Sequence, residues 1–239
     1  MSDAMYTALS AVKLKEQELE VVAHNLANAT TNGFKENEIS FSSILSKYQD
    51  PSNPHDTPFA AVGTESVNFS QGPTLPTGNS LDVSLQGNGF LEIQTNNGTF
   101  YTRNGSMTLD ATGNLITPDG GKVMGAGGGI QIAKAGKIQI STSGQITVNG
   151  ENQGKIKVVS FDPGQLEAAG NSLFKPVSGA SPQADLNTSV LQGNLEGSNT
   201  SVMKNLIKLI EISREYQSYQ KMISAEGKIN EDGSSIGKM

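Results

Sequence analysis

The chain has no cysteine and no tryptophan. The first absence excludes disulfide frameworks and thiolate metal sites. The second, with 5% aromatic and 35% hydrophobic residues in all, predicts a thin core per residue. No run approaches the roughly 18 apolar residues of a membrane-spanning helix, so no membrane insertion is expected. Basic residues are outnumbered, 17 Lys and Arg against 23 Asp and Glu, for a net charge of −6. Phosphate binding needs clustered cations, so no nucleic-acid partner is expected. The N-terminus has no basic n-region, apolar h-region or small-residue cleavage site, which predicts a chain without a cleaved signal peptide.

What is present in quantity is glycine, 27 of 239 residues, which points to many turns and tight strand connections. Along the chain the texture changes three times. Residues 1–33 hold an N-terminal helix: Met5, Leu9, Val12, Leu19, Ala23 and Leu26 fall on a 3-4 alternation broken only at Glu16. Ser2 or Asp3 is competent to cap its start, and Asn28 to Gly33 stops it with residues that favour turns. Residues 34–75 read as an extended linker, because the scattered apolar positions Phe34, Ile39, Phe41, Ile44 and Leu45 are followed by QDPSNPHDTP, whose three prolines disfavour a long helix or strand.

Residues 76–190 read as a central all-β domain, antiparallel and sandwich- or barrel-like. SLDVSL and GFLEIQT alternate apolar with polar residues, and Asn96-Asn97-Gly98 offers a hairpin turn. KIQIS, QITVN and KIKVVSF supply further short strands, GAGGGI a glycine-rich connection, and DPGQLEAAGNSLFKP a loop with an apolar Leu-Phe pair. Residues 191–239 hold the strongest helical pattern, expected over about 200–226. Ser198 to Ser201 are all competent N-caps, and Val202, Leu206, Leu209, Ser213, Tyr216, Gln220 and Ile223 keep heptad spacing. The fold class expected is α+β, with the terminal amphipathic helices paired as a coiled-coil-like assembly domain. One helix pair buries only one seam, so other copies of the chain are expected to supply much of the remaining burial.

Catalytic chemistry is not visible. His24 and His55, the two histidines, have no carboxylate or second histidine at ligand spacing. GAGGGI lacks the last glycine of a dinucleotide fingerprint and opens no helix. Asp82, Glu92 and Asp110 lie at or beside strands, where isolated carboxylates face solvent. The expectation is no enzyme, with no catalytic residue, cofactor or metal. Three classes remain: a structural polymer subunit, a β-rich binding or adhesion module on a helical stalk, and a hydrolase with a site among the β loops. Heptad helices at both chain ends favour the first.

Specific stretches then carry a likeness. HNLANATTNGFK, through Asn25, Leu26, Ala27, Asn28, Gly33, Phe34 and Lys35, resembles the signature of the flagellar rod and hook family of axial proteins. The central stretch from Leu81 resembles that family's β module through Gly87, Gly89, Phe90, Tyr101, Thr102, Arg103, Gly105, Leu109, Asp110 and Gly113. LQGNLEGSNTSVMKNLIKLIEISREYQ resembles its C-terminal helix entry through Gly193, Leu195, Glu196, Ser198, Asn199, Ile210, Arg214 and Tyr216. One β module between two helices is similar to the rod members, the proximal subunit foremost and the distal subunit as its close relative.

The resemblance implies a structural subunit of a hollow rod in the periplasmic part of the flagellar basal body. Its implied partners are copies of itself, other rod subunits, the flagellar type III export apparatus, and neighbouring ring and hook components. The assembly interface it implies comprises Leu9, Val12, Leu19, Val22, Asn25, Leu26, Asn28 and Phe34 near the N-terminus. Val202, Leu206, Leu209, Tyr216 and Ile223 complete it near the C-terminus.

Overall fold

The computed structural model describes residues 3–40, 64–132, 136–185 and 187–236. The QDPSNPHDTP stretch, with His55, and the apolar positions Phe41, Ile44 and Leu45 lie outside the described residues. The chain forms two compact units, one from residues 1–27, 37–66 and 201–239 and one from 28–36 and 67–200. Terminal helices and a central antiparallel β-rich region make it α+β.

The first unit is led by two helices that pack on each other, α1 (Asp3–Ala27) and α2 (Val202–Ile236). α1 buries Ala8, Val22 and Asn25 and half-buries Val12, Leu19 and Leu26 on one face, as the 3-4 alternation requires. Leu9 is exposed and Glu16, the break in the pattern, faces out. Ser201 starts α2, its Oγ accepting the Lys204 N–H at 3.4 Å and its carbonyl the Asn205 N–H at 3.0 Å. Lys15 of α1 bridges Glu215 of α2 at 2.7 Å and Glu18 at 2.9 Å. Strand Asn37–Ser40 pairs with strand Thr64–Val67, so two short strands lie within the segment read as an extended linker.

α2 departs from expectation twice. It runs 35 residues, through Gly227 and the polar tail to Ile236, rather than stopping near 226. A lone helical glycine costs only about 1 kcal/mol, and Ala225, Glu226 and Lys228 around it are good helix formers. Its inward face is also rotated from the heptad reading: Asn205 and Ile212 are buried, and Leu209, Tyr216, Tyr219 and Ile223 half-buried. Val202 and Leu206, expected in the seam, are exposed. The reason is Asn205, a polar residue that an apolar count skips, whose amide Nδ2 donates back to the Ser201 carbonyl at 3.0 Å.

In the second unit every strand pairing among the described residues is antiparallel. The main sheet runs 166–170, 173–176, 98–102, 90–95, 122–125, 115–116 and 108–109 in spatial order. GFLEIQT pairs across its Asn96-Asn97 turn in the register Leu91 opposite Thr102 through Thr95 opposite Gly98. The alternating residues Val83, Leu85, Leu91, Ile93, Leu115, Val123, Ile132, Ile146, Ile156 and Val190 form the larger core cluster. A second cluster gathers Phe90, Tyr101, Val159, Leu166 and Phe174, with Phe69 edge-on to Phe90 at 5.4 Å and to Phe174 at 5.2 Å.

Two sequence readings in this unit are corrected. LEAAGNSLFKP is a hairpin, not a loop: Leu166–Gly170 pairs with Leu173–Pro176 across Asn171 and Ser172, both in left-handed backbone. The Leu-Phe pair is what seats it, since Leu166 and Phe174 enter the aromatic cluster. Asp82 and Glu92 are buried rather than solvent-facing, because each has a partner. The amide of Asn79 donates to Asp82 at 3.0 Å, and Lys157 stands 2.9 Å from Glu92.

Candidate functional site

Three stretches far apart in sequence meet inside the second unit around one carboxylate. Lys35, Arg103 and Glu196 are each at most 2% exposed. Lys35 Nζ donates to Glu196 Oε1 at 2.6 Å and to the Ser70 carbonyl at 2.6 Å. Arg103 Nε lies 3.3 Å from Glu196 Oε2. The guanidinium reaches the Gly87 carbonyl at 2.6 Å and the Gly89 carbonyl as well, and its carbon sits 5.5 Å over the Phe90 ring. Glu196 Oε1 also accepts the Gly72 N–H at 3.0 Å.

Two cations thus share one anion in a water-excluded site, and backbone carbonyls take up the surplus donors. Burial pushes the Lys35 ammonium below its ordinary pKa against the opposing pull of Glu196. Burial lowers Arg103 too, opposed by Glu196 and Asp185. Such a cluster is strongly destabilised by losing one member.

Small residues let the backbones close on this cluster. Gly33 has φ of +69°, donates its N–H to the Glu196 carbonyl at 2.7 Å, and a Cβ there would lie 2.3 Å from the Asn104 nitrogen. At Gly105 a Cβ would meet the Val83 carbonyl oxygen at 1.8 Å. Asn199 completes the stitching: Oδ1 accepts the Glu36 N–H at 2.7 Å, and Nδ2 donates to the Asn68 carbonyl at 2.8 Å. Phe34, 6% exposed, is buried beside Lys35 in sequence.

The helix stop of the first stretch is built from the same motif. After α1 ends at Ala27, the Asn28 carbonyl accepts the Thr31 N–H at 3.1 Å and its Oδ1 the Thr31 hydroxyl at 3.2 Å. In the helical unit, Asn25 is 2% exposed and grips the backbone of Asn37 twice. Its Nδ2 donates to the Asn37 carbonyl at 2.8 Å and its Oδ1 accepts the Asn37 N–H at 2.9 Å. A side-chain amide is suited to this, having both donor and acceptor in one plane.

The helical unit also carries a surface of opposite character. Val202, Met203, Leu206, Ile207 and Ile210 of α2 are 46%, 69%, 39%, 52% and 51% exposed. Residues three, four and seven apart share one helix face, so Met203, Leu206, Ile207 and Ile210 form one continuous apolar stripe along the first turns of α2. Contiguous exposed apolar surface marks an interaction site. Among the expected interface residues, Val202 and Leu206 lie on this outward side, as Leu9 does on α1. Val22, Asn25, Leu209, Tyr216 and Ile223 face inward or partly so. The stripe members Met203, Ile207 and Ile210 were not among the expected interface residues. In the sequence Met203 and Ile210 widen the heptad stripe, while Ile207 joins it only once the inward face is known to run through Asn205 and Ile212.

Among the described residues, no group of three or more His, Cys, Asp or Glu is placed to hold a metal, and no helix is long and apolar enough to cross a membrane. Asp110 organises a turn: Asn114 and Thr112 donate to its carboxylate through side chains and backbone, which hold its pKa well below the usual range.

Comparison with known proteins matches three family models in chain order. Residues 5–35 match the flagella basal body rod protein model, 84–148 the flagellar hook protein FlgE/F/G D1 domain, and 191–236 the flagellar basal body rod FlgEFG protein C-terminal model. Each matched segment contributes one member of the buried cluster, Lys35, Arg103 and Glu196 in turn. The chain is 32% identical over 233 residues to the flagellar basal-body rod protein FlgF of Caulobacter vibrioides, covering 93% of each chain. It is 30% identical over 244 residues to FlgF of Rhizobium meliloti, covering 99% of each. To the rod protein FlgG of Bacillus subtilis it is 28% identical over 255 residues, 96% of this chain and 97% of the relative. By these matches the chain belongs to the FlgF/FlgG family of flagellar basal-body rod proteins.

Proposed function

We propose that the chain is a structural subunit of the flagellar rod that assembles through the outward faces of its terminal helices, with no catalytic role. The observation that carries this reading is the exposed apolar stripe Met203, Leu206, Ile207 and Ile210 on a helix whose other side is already packed. Burying one Leu or Ile side chain contributes about 1.5–3 kcal/mol, so neighbouring subunits gain most by covering this stripe. The β unit, with its internal charge cluster, supplies a rigid body that needs no neighbour to complete it.

On this reading the subunits pack α1 and α2 in a coiled-coil-like manner with copies of themselves and with other rod proteins, as a hollow torque-transmitting tube in the periplasm. Export through the flagellar type III apparatus, without a cleaved signal, and contact with ring and hook components complete the proposal. Placement in the proximal rod accords with the FlgF relatives, and placement in the distal rod with the FlgG relatives. Labelling the chain and locating it along isolated basal bodies tests this. Density confined to the rod is expected, at its proximal end; label absent from basal bodies contradicts the reading.

A further inference from the structure

We propose that Met203, among the methionines whose side chains the structure describes, is an oxidation-sensitive site of this protein, and that its sulfoxide blocks assembly. The inference rests on the assembly reading above and deepens it. With no cysteine in the chain, methionine thioethers are its only sulfur. They differ sharply in access: Met107 is 2% exposed in the β core, Met124 is half-buried, Met222 is 57% exposed and Met203 is 69% exposed. Oxidation follows exposure, so among these four Met203 and Met222 react first.

Only one of those two sulfurs sits where the change matters. Met203 has Leu206, Ile207 and Ile210 at three, four and seven residues on, all exposed and apolar. Met222 lies about 100° further round the helix, with Ser218 and Ala225 as its exposed neighbours on the same face. With hydrogen peroxide as oxidant, the thioether sulfur attacks one peroxide oxygen. An S–O bond forms, the O–O bond breaks and water leaves, so sulfur is oxidised by two electrons and peroxide is reduced. A flexible apolar side chain in mid-stripe becomes a polar one that a packed interface must desolvate. Before assembly Met203 is open to oxidant; once the stripe is covered it is shielded.

The test has two parts. The purified full-length chain is given limiting hydrogen peroxide and its peptides are mapped by mass. Met203 and Met222 are expected to gain oxygen well before Met107, and the same dose on isolated basal bodies should spare Met203. Then Met203→Gln, a polar stand-in of similar size, replaces the native residue in the parent bacterium, beside Met203→Leu and Met222→Gln. Met203→Gln should lower the chain's content in basal bodies at least roughly tenfold with an unchanged unfolding midpoint. Met203→Leu and Met222→Gln should stay within about twofold, far short of the tenfold step. Met203 reacting no faster than Met107, or Met203→Gln incorporated like the native chain while Leu206→Asp is excluded, overturns the inference alone. Normal incorporation of Leu206→Asp overturns the assembly reading, and this inference with it.

Discussion

The cluster in the β unit and the stripe on α2 handle their side chains in opposite ways. Lys35, Arg103 and Glu196 are charged residues held at 2% exposure or less, each hydrogen-bonded to atoms of the same unit, with Arg103 Nε and Glu196 Oε2 facing each other at 3.3 Å as an ion pair. Met203, Ile207 and Ile210 are apolar residues left more than half exposed. Burying charge costs several kcal/mol per ion unless partners are fixed, and exposing apolar surface forfeits its transfer energy. The first region therefore holds its stability internally, while the second gains only when something covers it. On the proposed reading the contrast is a division of labour, with the β unit stabilised from within and the helical unit stabilised further by association.

The largest way to break this contrast is at its buried end. Glu196→Ala leaves two buried cations without their anion and should destabilise the purified chain by about 3–5 kcal/mol, read from denaturant midpoints. A loss under about 1 kcal/mol, the size of an exposed ion pair, would show the cluster to be a surface-like network. Next comes the close backbone approach. Gly33→Ala adds both a left-handed strain and a clash with the Asn104 backbone, whereas Gly150, at φ of +89°, has open space. Gly150→Ala should cost about 1–2 kcal/mol for φ alone, and Gly33→Ala about 1–3 kcal/mol more. Equal losses would remove the packing argument for Gly33.

A smaller effect sharpens the electrostatics. Burial pushes the Asp185 carboxyl up, but this is outweighed by bonds from the Thr188 hydroxyl at 2.5 Å and the Asn187 and Thr188 N–H groups, with Arg103 nearby. Its folded pKa is depressed below 3.8. The unfolded chain therefore binds the proton more readily, so this stabilisation is full above 3.8 and fades as pH falls through the folded value. Unfolding titrations from neutral to acid pH should show a steeper acid loss in the native chain than in Asp185→Asn. Parallel curves would contradict the assignment.

The sequence carries local structure well and long-range polar structure poorly. Period and punctuation located both helices, the GFLEIQT hairpin and the stop after Ala27, because each depends on neighbours within a few residues. The GFK, YTRNG and LEGSN motifs were visible as separate likenesses. Their meeting was not, since charged residues default to the surface and nothing local pairs Lys35 with Glu196, 161 residues away. Asp82 and Glu92 were misread for the same reason. The α2 face was misplaced because Asn205 is polar yet buried, and the helix was cut short at Gly227 because one glycine is weaker punctuation than it looks.

The central claim, that the β unit is self-sufficient and the helix stripe is not, is tested most directly by one paired measurement on Leu206→Asp/Ile210→Asp. Surface substitutions away from internal packing stay within about 0.5 kcal/mol, so the purified variant should unfold at the native denaturant midpoint. In the parent bacterium it should be absent from basal bodies and leave the cells non-motile. An unchanged midpoint with normal incorporation and swimming would contradict the account.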